Sequence, residues 1–259
     1  MTYCVAMRLR NGLAFAADTR TNAGVDNIAT FRKVWTLERT GERVLVLLSA
    51  GNLAISQAVI SELEEDVKVA DDARSSLMTV TSMFHAARLV GEAIRKVRHI
   101  DGPALEASGG FATSMILGGQ IGTEEPRLFQ LYAEGNFIEA TEDTPYLQIG
   151  EHKYGKPILD RIADTDMRLG DAATLMLLSF DSTLRSNLSV GMPIDLVLYR
   201  RDTLSVTLES RIDQNDPYFL ALSEAWSTAL RDVFSHLDSF DMADAERLPE
   251  TPSKGSSVG

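Results

Sequence analysis

The chain has 259 residues, a formal net charge of −12, 44% hydrophobic and 24% charged residues, the composition of a globular protein able to bury a sizeable core. The acidic balance argues against nucleic acid or an anionic membrane surface as partner, and no apolar run approaches the ~20 residues of a membrane span. The single cysteine, Cys4, excludes an intrachain disulfide and reads as core filler; with no signal-peptide pattern at the start, a reducing, cytoplasmic compartment is expected.

In chain order, Thr2–Leu9 and Leu13–Thr19 read as strands around Asn11-Gly12, a hairpin signal. A second hairpin pairs Lys33–Leu37 with Val44–Ser49. Ile55, Val59, Leu63 and Val67 recur every four residues and predict a helix over 53–67, with Asn52 as N-cap. A second helix is predicted over 76–99, with Leu77, Val80, Phe84, Ala87, Gly91 and Ile94 as its buried stripe. Met78, Met83 and Leu89 lie off that stripe and suggest a surface for a partner subunit. Strands follow at 113–119, 127–132, 137–140 and 146–149, then helices over 151–163 and 172–186, and a strand pair at 195–200 and 203–209. Asp216-Pro217 opens a last helix to about His236, with Phe219, Leu222, Trp226, Leu230 and Val233 on one face. Periodicity then ends, so 2–236 reads as a single domain and 237–259 as a loose tail. Strands and helices in alternating blocks, with no linker between them, predict an α+β fold: a four-layer αββα sandwich of two largely antiparallel sheets.

Thr2 is the residue on which a function rests. An initiator Met is usually trimmed before a residue as small as Thr, leaving a free α-amine beside a hydroxyl. The hydroxyl is a nucleophile and the amine a base with a pKa of roughly 7.7–8.0. Thr2 begins the first strand and Asp18 ends the second strand of the same hairpin, so the two should lie close. Lys33 opens the third strand; paired beside the first, its ammonium would reach Thr2, with Asp18 holding it. A lysine there favours the alkoxide and lowers the amine pKa through like charge. No metal-ligand spacing, phosphate-binding glycine loop or nicotinamide fingerprint occurs, and no cofactor is expected. His152 reads as a surface residue.

These residues, with the segment Phe15-Ala16-Ala17-Asp18-Thr19-Arg20-Thr21 and Lys33 fifteen residues after Asp18, resemble the proteasome β-subunit family of N-terminal-nucleophile threonine proteases. Within it, the chain is most similar to the bacterial branch called Anbu, the ancestral β subunit, over about 2–236. The resemblance implies a threonine-type endopeptidase acting on peptides or unfolded proteins. It also implies that Gly51, in Leu48-Ser49-Ala50-Gly51, binds the oxyanion, and that subunits self-assemble through their outer helices into a ring or a helical homo-oligomer. Two departures stand out. Glu151 occupies the place of the family's Ser in a Gly-Ser-Gly, where a carboxylate could hold the Thr2 ammonium and raise its pKa. Ser186 stands where an Asp is usual, while Ser189 matches. Glu151, Ser186 and Ser189 are therefore possible supporting residues. The departures leave open a catalytically silent scaffold subunit, and pocket shape leaves open a small-molecule amidase.

Overall fold

The computed structural model describes residues 2–22, 28–68, 75–105 and 110–240. Its strands in chain order are β1 (Tyr3–Leu9), β2 (Gly12–Asp18), β3 (Arg20–Asn22), β4 (Ile28–Thr30), β5 (Val34–Arg39), β6 (Arg43–Gly51), β7 (Thr113–Ile121), β8 (Arg127–Leu131), β9 (Phe137–Glu139), β10 (Tyr146–Gly150), β11 (Ile194–Arg200) and β12 (Leu208–Ile212). The helices are α1 (Leu53–Lys68), α2 (Met83–Leu105), α3 (Lys156–Ile162), α4 (Leu169–Ser186) and α5 (Pro217–Ser235). One antiparallel sheet has the order β10-β1-β2-β11-β12, and the other is the meander β5-β6-β7-β8-β9.

Side-chain alternation along the strands divides the apolar residues into three layers. Cys4, Ala6 and Phe15 point between the sheets, where they meet Val44, Val46, Leu48 and Ile116. Tyr3, Val5 and Met7 point outward, onto Leu177 and Phe180 of α4 and Leu159 of α3. On the far side, Leu45, Leu47 and Leu117 bury against Ile55, Val59 and Leu63 of α1 and Val90 and Ile94 of α2. The fold is thus the αββα sandwich that the element order predicts. Burial on both faces explains why β1, β2 and β6 read as nearly continuous apolar runs, a pattern common in doubly covered sheets. Each large side chain so enclosed, such as Phe180 with its ring centroid 4.5 Å from that of Tyr3, stabilises the fold by about 1.5–3 kcal/mol relative to exposure.

Several boundaries differ from the sequence reading. The first turn is Arg10-Asn11; Gly12 already pairs with Leu9 and, on its other side, with Arg200. The segment from Ser76 is a turn and not the first helical turn of α2. Thr79 Oγ1 accepts from Ser76 N at 2.8 Å and Arg43 Nη1 donates to the carbonyls of Leu77 and Val80 at 2.9 and 3.0 Å. Local Ser/Thr hydrogen bonds compete with the helix there, and α2 starts only after Ser82, whose Oγ accepts from His85 N at 3.2 Å. Met83 consequently lies in the core and Met78 and Leu89 are half-buried, so these three do not form the exposed partner surface expected of them, while Phe84 is exposed, the reverse of the predicted stripe. Likewise Glu151 Oε1 accepts from Lys153 N at 3.0 Å, turning the chain so that α3 begins at Lys156. The second strand of the last pair is Leu208–Ile212, because Asp202 and Leu204 adopt positive φ in a wider connection. The hairpin β3–β4 has no counterpart in the predicted elements. On α5, Phe219 is buried, Leu222 and Trp226 are half-buried, and Leu230 and Val233 are exposed. Residues 241–259 of the expected tail lie outside the described residues.

Candidate active site

Thr2 stands at the head of β1, buried at the end of the sandwich. Two features of the backbone hold it. Tyr3 N donates to Asp18 Oδ1 at 3.0 Å, because the β1–β2 register sets Cys4 opposite Ala17 and brings Asp18 level with the strand start. Across β10, Glu151 N donates to Thr2 O at 2.6 Å. That approach requires glycine one residue earlier: Gly150 has φ +81°, and a Cβ there would stand 2.0 Å from Thr2 O.

Asp18 and Lys33 form a buried ion pair. Lys33 Nζ donates to Asp18 Oδ1 at 2.7 Å and to the carbonyl of Arg20 at 2.6 Å. Their side chains are 4% and 0% exposed, which removes the pair from solvent screening. Asp18 Oδ2 also accepts from Gly191 N at 3.2 Å. Burial pushes the Asp18 carboxyl up from its ordinary range, and the Lys33 ammonium and the two backbone donors pull against that shift. Lys33 sits just before β5, and its carbonyl accepts from Ser49 N at 3.0 Å, tying it to β6; its strand does not pair beside β1 as expected, so Lys33 reaches Asp18 from the second sheet.

Thr2, Lys33 and Gly51 line one cleft of about 600 Å³, with Phe31 and Ala29 on one wall and Asn52 and Leu53 on the other. Asp18 lies behind Lys33. Gly51 ends β6 with φ +109°, and a Cβ there would stand 2.4 Å from Ala112 O. It leads into α1, whose N-cap is Asn52, with Oδ1 accepting from Ala54 N at 3.0 Å. The helix N-terminus thus adds partial positive charge to this wall. The Thr21 hydroxyl is buried in the cleft wall with no hydrogen-bond partner among the described residues. Cys4 is buried behind Thr2, its thiol pushed up by burial and donating to Ser49 O at 3.5 Å. Among the described residues, no group of three or more His, Cys, Asp or Glu could hold a metal ion. His152 is exposed, as expected.

The remaining expected residues divide. Glu151 is buried beside Thr2 and its carboxylate accepts from Asn187 Nδ2 at 2.9 Å. Ser189 N donates to Asn187 Oδ1 at 2.9 Å. Ser186 closes α4 and is exposed. The buried residue in that segment is its successor, Asn187, which the sequence reading passed over. Gly150 and Gly191 also contribute: Gly150 by having no Cβ where Thr2 O approaches, and Gly191 through its backbone N–H to Asp18. Met1 lies outside the described residues.

The family model described as "Proteasome subunit" matches residues 2–198. The chain belongs to the proteasome subunit family. A proteasome subunit beta from Haloquadratum walsbyi is 23% identical over 207 residues, 80% of this chain and 76% of that protein. Among solved structures, Anbu from Hyphomicrobium sp. strain MC1 is 63% identical with a TM-score of 0.87, covering 93% of this chain and 100% of that one. The helical assembly of the Anbu complex from Pseudomonas aeruginosa is 49% identical with a TM-score of 0.88, covering 93% and 99%. Anbu from Yersinia bercovieri is 49% identical with a TM-score of 0.87 over the same shares. Anbu, the branch that the chain resembles over about 2–236, is thus well represented among the structural relatives of this proteasome-family chain.

Proposed function

We propose that this chain is a threonine-type endopeptidase acting on peptides or unfolded proteins in the cytoplasm. The observation that carries the reading is the buried Lys33–Asp18 pair at 2.7 Å, whose lysine lines the same cleft as Thr2 and Gly51. A buried ion pair stabilises a fold little compared with apolar side chains of the same volume, so placing one beside a terminal threonine serves chemistry better than packing.

In this mechanism Met1 is lost and Thr2 Oγ attacks the scissile carbonyl. The Thr2 amine takes the hydroxyl proton, directly or through a water. Lys33 holds the local potential positive and favours the alkoxide, and Asp18 holds Lys33 in place. Gly51 N–H receives the oxyanion, supported by the N-terminus of α1. The amine returns its proton to the leaving nitrogen, giving an acyl-enzyme ester that water hydrolyses. No cofactor is required by any step.

Self-association into a ring or helical homo-oligomer completes the proposal. It is supported by the helical assembly of the Anbu complex from Pseudomonas aeruginosa and by the exposed Leu230, Val233 and Phe234 of α5. No helix among the described residues is long and apolar enough to cross a membrane. The test is hydrolysis of fluorogenic peptides and of an unfolded protein by wild type and by Thr2→Ala. Turnover lost in Thr2→Ala supports the reading. Equal turnover in both places the nucleophile elsewhere, and turnover in neither favours the silent scaffold.

A further inference from the structure

Glu151 is a buried carboxylate, 7% exposed. Among the described residues its oxygens receive two neutral donors, Lys153 N at 3.0 Å and the Asn187 amide at 2.9 Å, and no cationic side chain. Burying a carboxylate with no positive partner is costly, and such a group is normally paired. Its own backbone is bonded to the one residue nearby that gains a charge by processing: Glu151 N holds Thr2 O at 2.6 Å, one step beyond the Tyr3–Gly150 pair of the β1–β10 ladder. Asn187, itself buried, is fixed by Ser189 N, and two residues further on Gly191 N reaches Asp18. One short segment therefore steadies both the Glu151 carboxylate and the Lys33–Asp18 pair.

We infer that Glu151, oriented by Asn187, is the counter-ion of the α-ammonium that Thr2 acquires when Met1 is removed. The inference rests on the proposed N-terminal threonine chemistry. The other groups around the amine do not supply that counter-charge. Asp18 is committed to Lys33, which opposes a second cation; the β6–α1 side presents Ser49, Gly51 and Asn52; Arg20, on the next strand, donates to Leu188 O at 3.0 Å; and His152 and Lys153 are exposed. Glu151 favours the charged amine and Lys33 disfavours it, so the two set the pH at which the base becomes available. Glu151 is a positioning residue that tunes the base. The same carboxylate that stabilises the processed terminus delays its deprotonation, so catalysis should rise at higher pH than Lys33 alone would dictate.

The experiment is pH-dependent labelling of the Thr2 α-amine with a limiting amount of an acylating reagent, quantified on the N-terminal peptide by mass spectrometry. Wild type, Glu151→Gln and Asn187→Ala are compared, with inhibitor capture measured in parallel on wild type. Glu151→Gln should lower the labelling midpoint by about one pH unit, a tenfold loss of proton affinity. Asn187→Ala, which releases the carboxylate without removing it, should lower it by less. A merely structural role would leave both midpoints at the wild-type value, and that result overturns the inference, as does a wild-type protein that retains Met1. If the midpoints shift but wild type captures no inhibitor, the counter-ion stands and the hydrolase reading falls. If capture occurs with unmoved midpoints, the reverse holds.

Discussion

Replacing Lys33 with Met leaves the Asp18 carboxyl buried with only the Tyr3 and Gly191 N–H groups to hold it. The methionine fills most of the lysine stem, so little of the cost comes from a cavity. Removing one partner of a fully buried pair costs about 3–5 kcal/mol, because the remaining charge is uncompensated. Here both side chains are almost completely enclosed, so the value near neutral pH should fall in that range. The carboxyl can reduce this cost by taking up a proton. Burial already pushes Asp18 upward with Lys33 present, and without Lys33 it should rise further. A carboxyl with a folded pKa above its unfolded value of roughly 3.9 binds more protons in the native state across that window. The unfolded carboxyl is common to both proteins and cancels from the gap, so the Lys33→Met deficit should be smallest below the folded wild-type Asp18 value, grow as pH rises from there toward the higher folded value of the variant, and level off above it. Urea unfolding of both proteins at one protein concentration, from about pH 4 to 8, measures the gap. A gap below about 1 kcal/mol at pH 7, or one that does not change with pH, would refute the claim that this pair is buried and coupled.

Other substitutions test separate parts of the structure. Gly51→Ala forces a side chain onto φ +109° and against Ala112 O; displacing an oxyanion donor should slow acylation about 10²–10³-fold, read as the rate of inhibitor capture. Arg43→Met strips the Leu77 and Val80 carbonyls of their donor and should destabilise by about 1–3 kcal/mol in urea with capture unchanged. Val233→Glu with Phe234→Glu puts charge on the exposed α5 face and should lower the sedimentation coefficient by breaking assembly, while circular dichroism stays that of wild type.

The layers and most strands were legible because burial on both sides makes β1, β2, β6 and β7 apolar, and α1 and α4 carry regular stripes. The boundaries that moved did so where side chains bond the local backbone. Ser76 with Thr79, and Glu151 with Lys153, hold turns that periodicity reads as helix. The exposed end of α5 has the pattern of a buried helix, because an apolar face looks the same in sequence whatever covers it. At the site, Thr2 and Asp18 could be placed from hairpin geometry, but Lys33 could not, because its strand was expected beside β1 and instead pairs with β6 in the other sheet. Asn187 could not, because its partner Glu151 lies 36 positions earlier. Nor could the Gly191 N–H that reaches Asp18, since any residue but proline has one.

The most direct test of the account is peptide-mapping mass spectrometry of the purified protein before and after treatment with an α′,β′-epoxyketone, whose adduct requires both the hydroxyl and the free amine of a terminal threonine. The account predicts a mature chain beginning at Thr2 and one stoichiometric adduct on that residue, lost in Thr2→Ala and slowed in Lys33→Met. A chain that keeps Met1, or an adduct that maps to any other residue, would contradict it.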